Sequence, residues 1–254
     1  MAKLEGKTAI VTGGAMGIGR HYTEALVREG ATVAIVDIGD CEAAAAAVNA
    51  SIGRAACLGV KTDVSEEASV KHAVSKILSE SGRIDILVNN AALYSTLAPV
   101  PFAEIEVTQW DKVMAVNLRG PFLMVKHTAP AMIAQGYGKI INISSGTAYK
   151  GMPLMLHYIT SKGGILAFTR ALSRELGTHN ICVNTLAPGL IETGDTHANS
   201  ERKAAARGRV VESRALKRDG YPADLLGALI FLAGNESDFI TGQTVVVDGG
   251  SINT

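Results

Sequence analysis

The sequence predicts an α/β fold, a doubly wound parallel sheet of about seven strands with helices on both faces. Three observations carry that prediction. Short apolar, β-branched runs alternate with longer helical patterns from one end to the other. A glycine-rich stretch follows the first such run and opens the first helix. No internal linker and no repeat of roughly 20–50 residues interrupts the alternation, so residues 1–254 are expected to form a single domain.

In order, residues 8–12 (Thr-Ala-Ile-Val-Thr) read as a buried strand after Gly6-Lys7. The glycine turn 13–19 leads into a helix from about residue 18 to 29, stopped by Gly30. Residues 32–36 form a second strand ending at Asp37, and the alanine-rich stretch 41–50 is a strong helix former. A weaker strand at 55–60 precedes Asp63, and a helix over 66–80 has Ser65 as its expected N-cap. Residues 84–88 form a fourth strand that ends in Asn89-Asn90, with Asn89 read as a turn residue. A loop at 93–102, with Pro99 and Pro101, leads to a long helical stretch over 108–134. Pro121 and Pro130 are expected to kink or interrupt it.

Residues 139–143 give a fifth strand, followed by Ser144-Ser145-Gly146. The next helix carries Tyr158 and Lys162 and runs to about Leu176, stopped by Gly177. A sixth strand at 181–186 ends in Pro188-Gly189. A polar, charged stretch covers 193–218, an apolar helix 223–232, and a last strand 244–247. Strands joined by helices in this way make right-handed crossovers, and ligands bind beyond the carboxyl ends of the strands where their order reverses. The chemically suggestive stretches all follow a strand or begin a helix, which points to one shared cleft.

Composition narrows the function. With 24 basic and 24 acidic residues, nothing suggests a nucleic-acid or anionic-membrane partner. Cys41, Cys57 and Cys182 fit neither a disulfide framework nor a metal site, and read as small buried hydrophobes in a reducing compartment. Lys3, Glu5 and Lys7 interrupt any leader-like start, and no apolar run approaches the roughly 20 residues needed to span a bilayer. The expectation is a cytoplasmic protein that binds no membrane. Apolar residues make up 47% and aromatics only 5%, as buried parallel strands would require.

The first candidate site is Thr12-Gly13-x-x-x-Gly17-x-Gly19. Its spacing differs from the commonest dinucleotide fingerprint, but the physics is shared. Glycines permit a tight turn and let the backbone approach a pyrophosphate at an open helix N-terminus. Asp37 ends the second strand, 18 residues beyond Gly19, where a carboxylate accepts from an adenosine ribose and repels a 2′-phosphate. No basic residue lies within the turn or directly after Asp37, which favours NAD. Arg20, at the helix start, is the nearby cation that argues the other way.

The second candidate is Tyr158-x-x-x-Lys162, a phenol and an ammonium one helical turn apart. A free phenol titrates near pH 10, and a fixed cation beside it favours the phenolate. The pair reads as a general acid/base for an alcohol or ketone. Ser145, 13 residues before Tyr158, can hold the reacting oxygen, although Ser144 offers the same hydroxyl one residue earlier. Asn117 sits within a helix, where its amide is either a face polar group or functional.

Taken together, Thr12-Gly-Gly-Ala-Met-Gly-Ile-Gly19, Asn89-Asn-Ala-Ala92, Asn117, Ser145, Tyr158-x-x-x-Lys162 and Pro188-Gly-Leu-Ile-Glu-Thr193 resemble the short-chain dehydrogenase/reductase family. The order and spacing of these stretches cover essentially the whole chain. Ala92 departs from the family's usual glycine. The resemblance implies a Rossmann-type fold and a catalytic set of Asn117, Ser145, Tyr158 and Lys162, with Asn117 holding a water in a proton relay from Lys162. It implies cofactor contacts from Gly13, Met16, Gly17, Ile18, Gly19, Asp37, Asp63, Val64, Asn90, Tyr158, Lys162, Pro188, Gly189, Ile191 and Thr193. Asp63 would face the adenine, and Ile191 with Thr193 the nicotinamide amide.

Tyr94, Tyr149 and Met152 would line a substrate pocket with Ser145 and Tyr158. Leu97, Leu154 and Met155 stand nearby, as does His157, which could pair with a polar group. Residues 190–218 resemble the family's substrate lid. Its charges (Arg202, Lys203, Arg207, Arg209, Arg214, Lys217 and Arg218) read mainly as a solvated face that could meet an acidic substrate. Apolar residues beyond one helix face (Val113, Val116, Leu123, Val125, Ile165, Leu166, Phe168 and Leu172) suggest burial between subunits; the resemblance implies a tetramer or a dimer, and a homotetramer is expected. The reading is an NAD-dependent secondary alcohol dehydrogenase with a small-molecule substrate bearing an aromatic, cyclic or medium apolar group. The alternatives are an NADPH-dependent 3-oxoacyl carrier-protein reductase and a non-catalytic NAD-binding protein.

Overall fold

Every apolar run becomes a strand in the computed structural model, which describes residues 2–193 and 201–252, with the side chains of 201–206 left aside. The strands are β1 (Thr8–Thr12), β2 (Thr32–Asp37), β3 (Cys57–Lys61), β4 (Ile86–Asn89), β5 (Gly138–Ile143), β6 (Ile181–Pro188) and β7 (Thr244–Val247). They form one seven-stranded sheet in the order β3-β2-β1-β4-β5-β6-β7, all parallel. The fold is Rossmann-like. Strand order reverses between β1 and β4, so their carboxyl ends frame the crevice where a ligand is expected.

Alternate residues of each strand enter two cores, as the two-residue strand period dictates. On one face Ala9, Val11, Ile86, Val88 and Ile141 pack with α1 (Gly17–Arg28) and α9 (Pro222–Ala233). On the other, Ile10, Leu87, Ile140 and Val183 meet α3 (Glu67–Ser81) and α5 (Gly120–Gln135). The helix α2 (Cys41–Ile52) flanks β3, and α7 (Leu156–Leu176) lies along β6.

Four local expectations are corrected. Ser65 does not cap α3, because its hydroxyl donates to Asp63 Oδ1 (2.7 Å) and its N–H to the same oxygen (2.9 Å). A local Asp-centred turn outcompetes the cap. Asn89 is no turn residue: it is the buried last residue of β4 and donates to Asn142 Oδ1 (2.9 Å) in β5. The long helix is interrupted in the turn before Pro121, as expected, but runs unbroken through Pro130, where an interruption is also expected. A π-helical turn, Ala115–Arg119, separates α4 (Val107–Met114) from α5, with Gly120 N–H bonded to Ala115 O. Pro121 sits in the first turn of α5, where the absent N–H is tolerated. It still leaves the Asn117 carbonyl, four residues back, without an α-helical donor.

The fourth correction concerns subunit contacts. Val113, Leu123, Val125, Ile165 and Leu166 are all buried within this chain's own core, so they are no evidence for a partner. The apolar side chains that do stand in water on these helices are Val107, Phe122, Ile133 and Leu156, with Phe102 just before α4.

Candidate active site

The glycine turn is built from steric necessity. Gly13 adopts φ +64°, and a Cβ there would lie 2.9 Å from Ala91 Cα. A Cβ on Gly19 would lie 2.0 Å from the Gly13 carbonyl oxygen, so only glycine lets the helix start so close to the turn. Gly17 (φ +54°) opens α1 and has clear space where a Cβ would stand. Asn90 ties the turn to β4: its amide donates to Thr12 O (2.9 Å) and Gly13 O (3.1 Å), and its N–H donates to Thr12 Oγ1 (2.9 Å). Asp37 Oδ2 accepts from Ala15 N–H (3.1 Å) and Oδ1 from Gly39 N–H (3.0 Å). Arg20 is held elsewhere, donating to Glu24 (2.9 Å) and to Ala44 O (3.1 Å) of α2.

No side chain caps the N-terminus of α1, and its first turn carries no acidic residue. Its leading N–H groups therefore suit an anion, which is what a dinucleotide pyrophosphate supplies. Met16 and Ile38 are largely exposed on either side of this turn, while Ile18 is half-buried beside it. Val64 is buried against Gly120, where a Cβ would come 3.0 Å from Val64 Cγ2. Asp63 remains exposed and holds the Ser65 turn. Ala92 has no left-handed backbone, so its methyl strains nothing.

On α7, Lys162 is buried and its Nζ donates to Ile143 O (2.8 Å), 5.9 Å from the Tyr158 ring centre. Burial lowers its pKa to about 8. Burial also pushes the Tyr158 phenol well above its ordinary value, opposed by a hydrogen bond from Ser145 and reinforced by Tyr94. Tyr94 lies 4.9 Å from Tyr158, ring centre to ring centre, tilted by 42°. The expected lowering of the phenol by Lys162 is thus not the leading effect here. Desolvation of a phenolate outweighs an ammonium turned towards a backbone carbonyl.

Ser144 and Ser145 separate cleanly. Ser144 Oγ donates to Lys162 O (2.7 Å) and helps hold α7. Ser145 is the one that faces Tyr158, and its Oγ accepts from Thr147 N–H (3.3 Å) and Thr147 Oγ1 (2.9 Å). Thr147 begins the single-turn α6 (Thr147–Lys150). Asn117 lies in the π-turn, buried, its Oδ1 accepting from Leu93 N–H (2.7 Å) and its Nδ2 donating to Leu93 O (3.2 Å) and Ser161 Oγ (3.1 Å). The amide is taken up in positioning the loop after β4.

Beyond β6, Gly189 N–H bonds Val247 O (2.9 Å), and Ile191 bridges Gly220. Thr193 follows them at the edge of the described residues. Arg214 is buried, its guanidinium clamping Leu190 O (2.6 Å) and Arg218 O (2.7 Å). For Arg214 this corrects the solvated-face reading, whereas Arg207, Arg209, Lys217 and Arg218 are exposed, as that reading expects. Arg207 pairs with Asp219 (2.8 Å), Arg218 with Asp224 (2.6 Å), and Lys217 bonds Glu212 O (2.6 Å). These bonds tie the segment to itself from an exposed surface. The segment contains α8 (Glu201–Ser213); residues 194–200 and the side chains of Arg202 and Lys203 lie outside the described residues.

Of the expected pocket residues, Tyr94, Met152 and Leu154 are exposed and Tyr149 half-buried, whereas Met155 and His157 are buried. His157 therefore does not line the opening. Sequence reasoning missed Thr147, the buried clamping role of Arg214 and a buried polar chain beneath the site. In that chain Asn142 Nδ2 donates to Thr169 Oγ1 (2.9 Å), which also accepts from Thr185 Oγ1 (2.8 Å). An asparagine inside the apolar run Ile-Ile-Asn-Ile was the available signal. Among the described residues no cluster could hold a metal ion, and no helix is long and apolar enough to cross a membrane.

Comparison with known proteins agrees with this geometry. A family described as enoyl-(acyl carrier protein) reductase matches residues 13–251. Sorbitol dehydrogenase of Cereibacter sphaeroides is 42% identical, over 98% of both chains. A 3-oxoacyl-(acyl-carrier-protein) reductase of Thermotoga maritima is 36% identical over 98% of this chain and 99% of its own. Galactitol 2-dehydrogenase of Agrobacterium fabrum is 38% identical over 98% of both. The crystal structure of a protein from Sinorhizobium meliloti 1021, described as a short-chain alcohol dehydrogenase, superposes with a TM-score of 0.90 at 31% identity, covering 98% of this chain and 97% of that one.

Proposed function

The chain belongs to the short-chain dehydrogenase/reductase family of nicotinamide-dependent oxidoreductases, and from that premise we propose that it is an NAD-dependent dehydrogenase of secondary alcohols. The observation that carries the cofactor choice is Asp37. Its carboxylate, fixed by Ala15 and Gly39 N–H groups, stands beside the glycine turn while Arg20 is tied to Glu24 and Ala44. A 2′-phosphate would meet an anion there and no available guanidinium. The same residue argues against an NADPH-dependent 3-oxoacyl reductase.

The uncapped start of α1 and the Gly13–Gly19 turn would hold the pyrophosphate, Asp37 the adenosine ribose, and Pro188, Gly189, Ile191 and Thr193 the nicotinamide side. When bound, the nicotinamide supplies hydride acceptance. The chain handles the proton. Tyr158 Oη takes it from the alcohol, and Ser145 Oγ holds the reacting oxygen against Tyr158. Lys162 stays mostly charged at neutral pH, given its pKa of about 8, and favours the phenolate across the gap. A water on the Asn117 carbonyl would exchange protons with Lys162.

Two of the similar proteins are named for sugar alcohols, so polyols are the substrates to try first. Tyr94, Tyr149, Met152 and Leu154 offer aromatic and apolar faces to the carbon side of such a chain, or to a cyclic alcohol. A homotetramer remains part of this proposal, supported by exposed Phe102, Val107, Phe122 and Ile133; a monomeric mass at micromolar concentration would overturn it. The test of function is a panel of polyols and cyclic secondary alcohols followed at the absorbance of reduced nicotinamide, with NAD and NADP in parallel. At least tenfold higher kcat/KM with NAD is expected, and preference for NADP would refute the assignment.

A further inference from the structure

We propose that Thr147 is a positioning residue that orients the Ser145 hydroxyl as a donor towards Tyr158 and the reacting oxygen; this rests on the dehydrogenase reading above. A serine hydroxyl has one proton and two acceptor positions, and it rotates to suit its neighbours. Ser145 Oγ receives the Thr147 N–H at 3.3 Å, and an amide can only donate. It also receives the Thr147 hydroxyl at 2.9 Å. With both acceptor positions filled, the Ser145 proton is left to be given away.

The group it faces is Tyr158, where donation favours the phenolate. The Ser145 hydrogen bond works against the burial and the Tyr94 ring that hold this phenol protonated. A hydroxyl that accepts hydrogen bonds also donates more strongly. Freed from Thr147 Oγ1, Ser145 could turn and accept from the Tyr158 O–H instead, which would stabilise the neutral phenol.

A purely structural role is the competing explanation, since a backbone bond from Ala148 N–H to Ser145 O (3.0 Å) already closes this turn. Thr147→Val separates the two. It keeps the backbone N–H and the side-chain shape and removes only the hydroxyl. The other titratable groups around Tyr158, namely Lys162 and Tyr94 with His157 one residue before it in α7, are unchanged by the substitution.

The experiment measures kcat, KM and the pH profile of kcat for wild type, Thr147→Val, Thr147→Ser, Ser145→Ala and the Ser145→Ala/Thr147→Val pair, with NAD and the best alcohol of the panel. Thr147→Val should lower kcat about tenfold, the scale of one hydrogen bond. KM and NADH binding should hold within about twofold, and the apparent pKa of the acidic limb, where activity is lost as the Tyr158 phenolate is protonated, should rise by about one pH unit. Thr147→Ser should restore both, and the valine should add nothing further to Ser145→Ala. Wild-type kcat and profile in Thr147→Val, failure of serine to rescue, or an undiminished valine effect without Ser145 would each overturn the proposal.

Should wild type bind NADH yet oxidise no alcohol, the dehydrogenase reading fails on its own. The Thr147 assignment is then decided by carbon-13 NMR of Tyr158 Cζ, identified by its loss in Tyr158→Phe. Titration at higher pH in Thr147→Val supports it, and an unmoved titration overturns it. Thr147→Ala replaces the valine variant if thermal melts show that valine does not fold.

Discussion

Strand β5 has a buried lysine at each end, and the two are held in opposite ways. Lys139, its second residue, is 1% exposed, and its ammonium lies 2.8 Å from Asp238 Oδ1 and 3.2 Å from Ser237 Oγ. Lys162, 3% exposed, donates to the carbonyl of Ile143, the last residue of the same strand. Among the described residues Lys162 forms no ion pair. The amino edge of the sheet pairs its other charges too, with buried Asp85 meeting Arg83 (2.6 Å) and Lys7 (3.8 Å). A paired buried lysine stabilises geometry. One without a counter-ion is held at a cost, and such costs concentrate where chemistry is done.

That contrast can be broken most directly at Lys162. Lys162→Met should lower kcat by about 10²-fold or more, with a urea midpoint equal to or above that of wild type, because an uncompensated buried charge is removed. Activity retained within about threefold would end the functional reading of this end of β5.

The pH dependence sharpens the contrast. Lys162 titrates in the fold at about 8, below its ordinary 10.5. Below pH 8 it is protonated whether folded or not, and the burial penalty is present in full. Above pH 8 the unfolded chain holds a proton that the fold has released, so stability rises with pH. The raised phenol of Tyr158 works the other way, but only from about pH 10, where an unfolded tyrosine ionises. Wild type should therefore gain about 2 kcal/mol on Lys162→Met between pH 8 and 10 in urea titrations. A flat difference would place the lysine in water.

The smallest effect is expected at the other end. Lys139→Met should cost about 1–2 kcal/mol, below the 3–5 kcal/mol seen when a fully buried charge is orphaned, because the Asp238 side chain is 59% exposed. Its kcat/KM should stay within about twofold of wild type. A large activity loss without destabilisation would erase the distinction between the two lysines.

Much of the candidate site was legible beforehand. The Gly13–Gly19 turn, Asp37 at a strand end, and Tyr158 one helical turn from Lys162 are all local facts. Neighbouring residues impose them through steric exclusion, hydrophobic period and helical spacing. Element order was legible for the same reason, and boundaries moved by only a few residues. Where local rules competed, sequence reasoning failed: Asp63 took Ser65 from the helix it was to cap, and α5 runs on through Pro130.

The sequence by itself determined the alternation of strands and helices and the kinds of chemical group that stand after each strand. Only the tertiary structure decided which serine faces the phenol, that Thr147 occupies its lone pairs, that Arg214 is an internal clamp, and that Lys162 lacks a counter-ion where Lys139 has one. The physical reason is that burial and hydrogen-bond partnership belong to atoms brought together from distant strands. No stretch of chain carries that information alone.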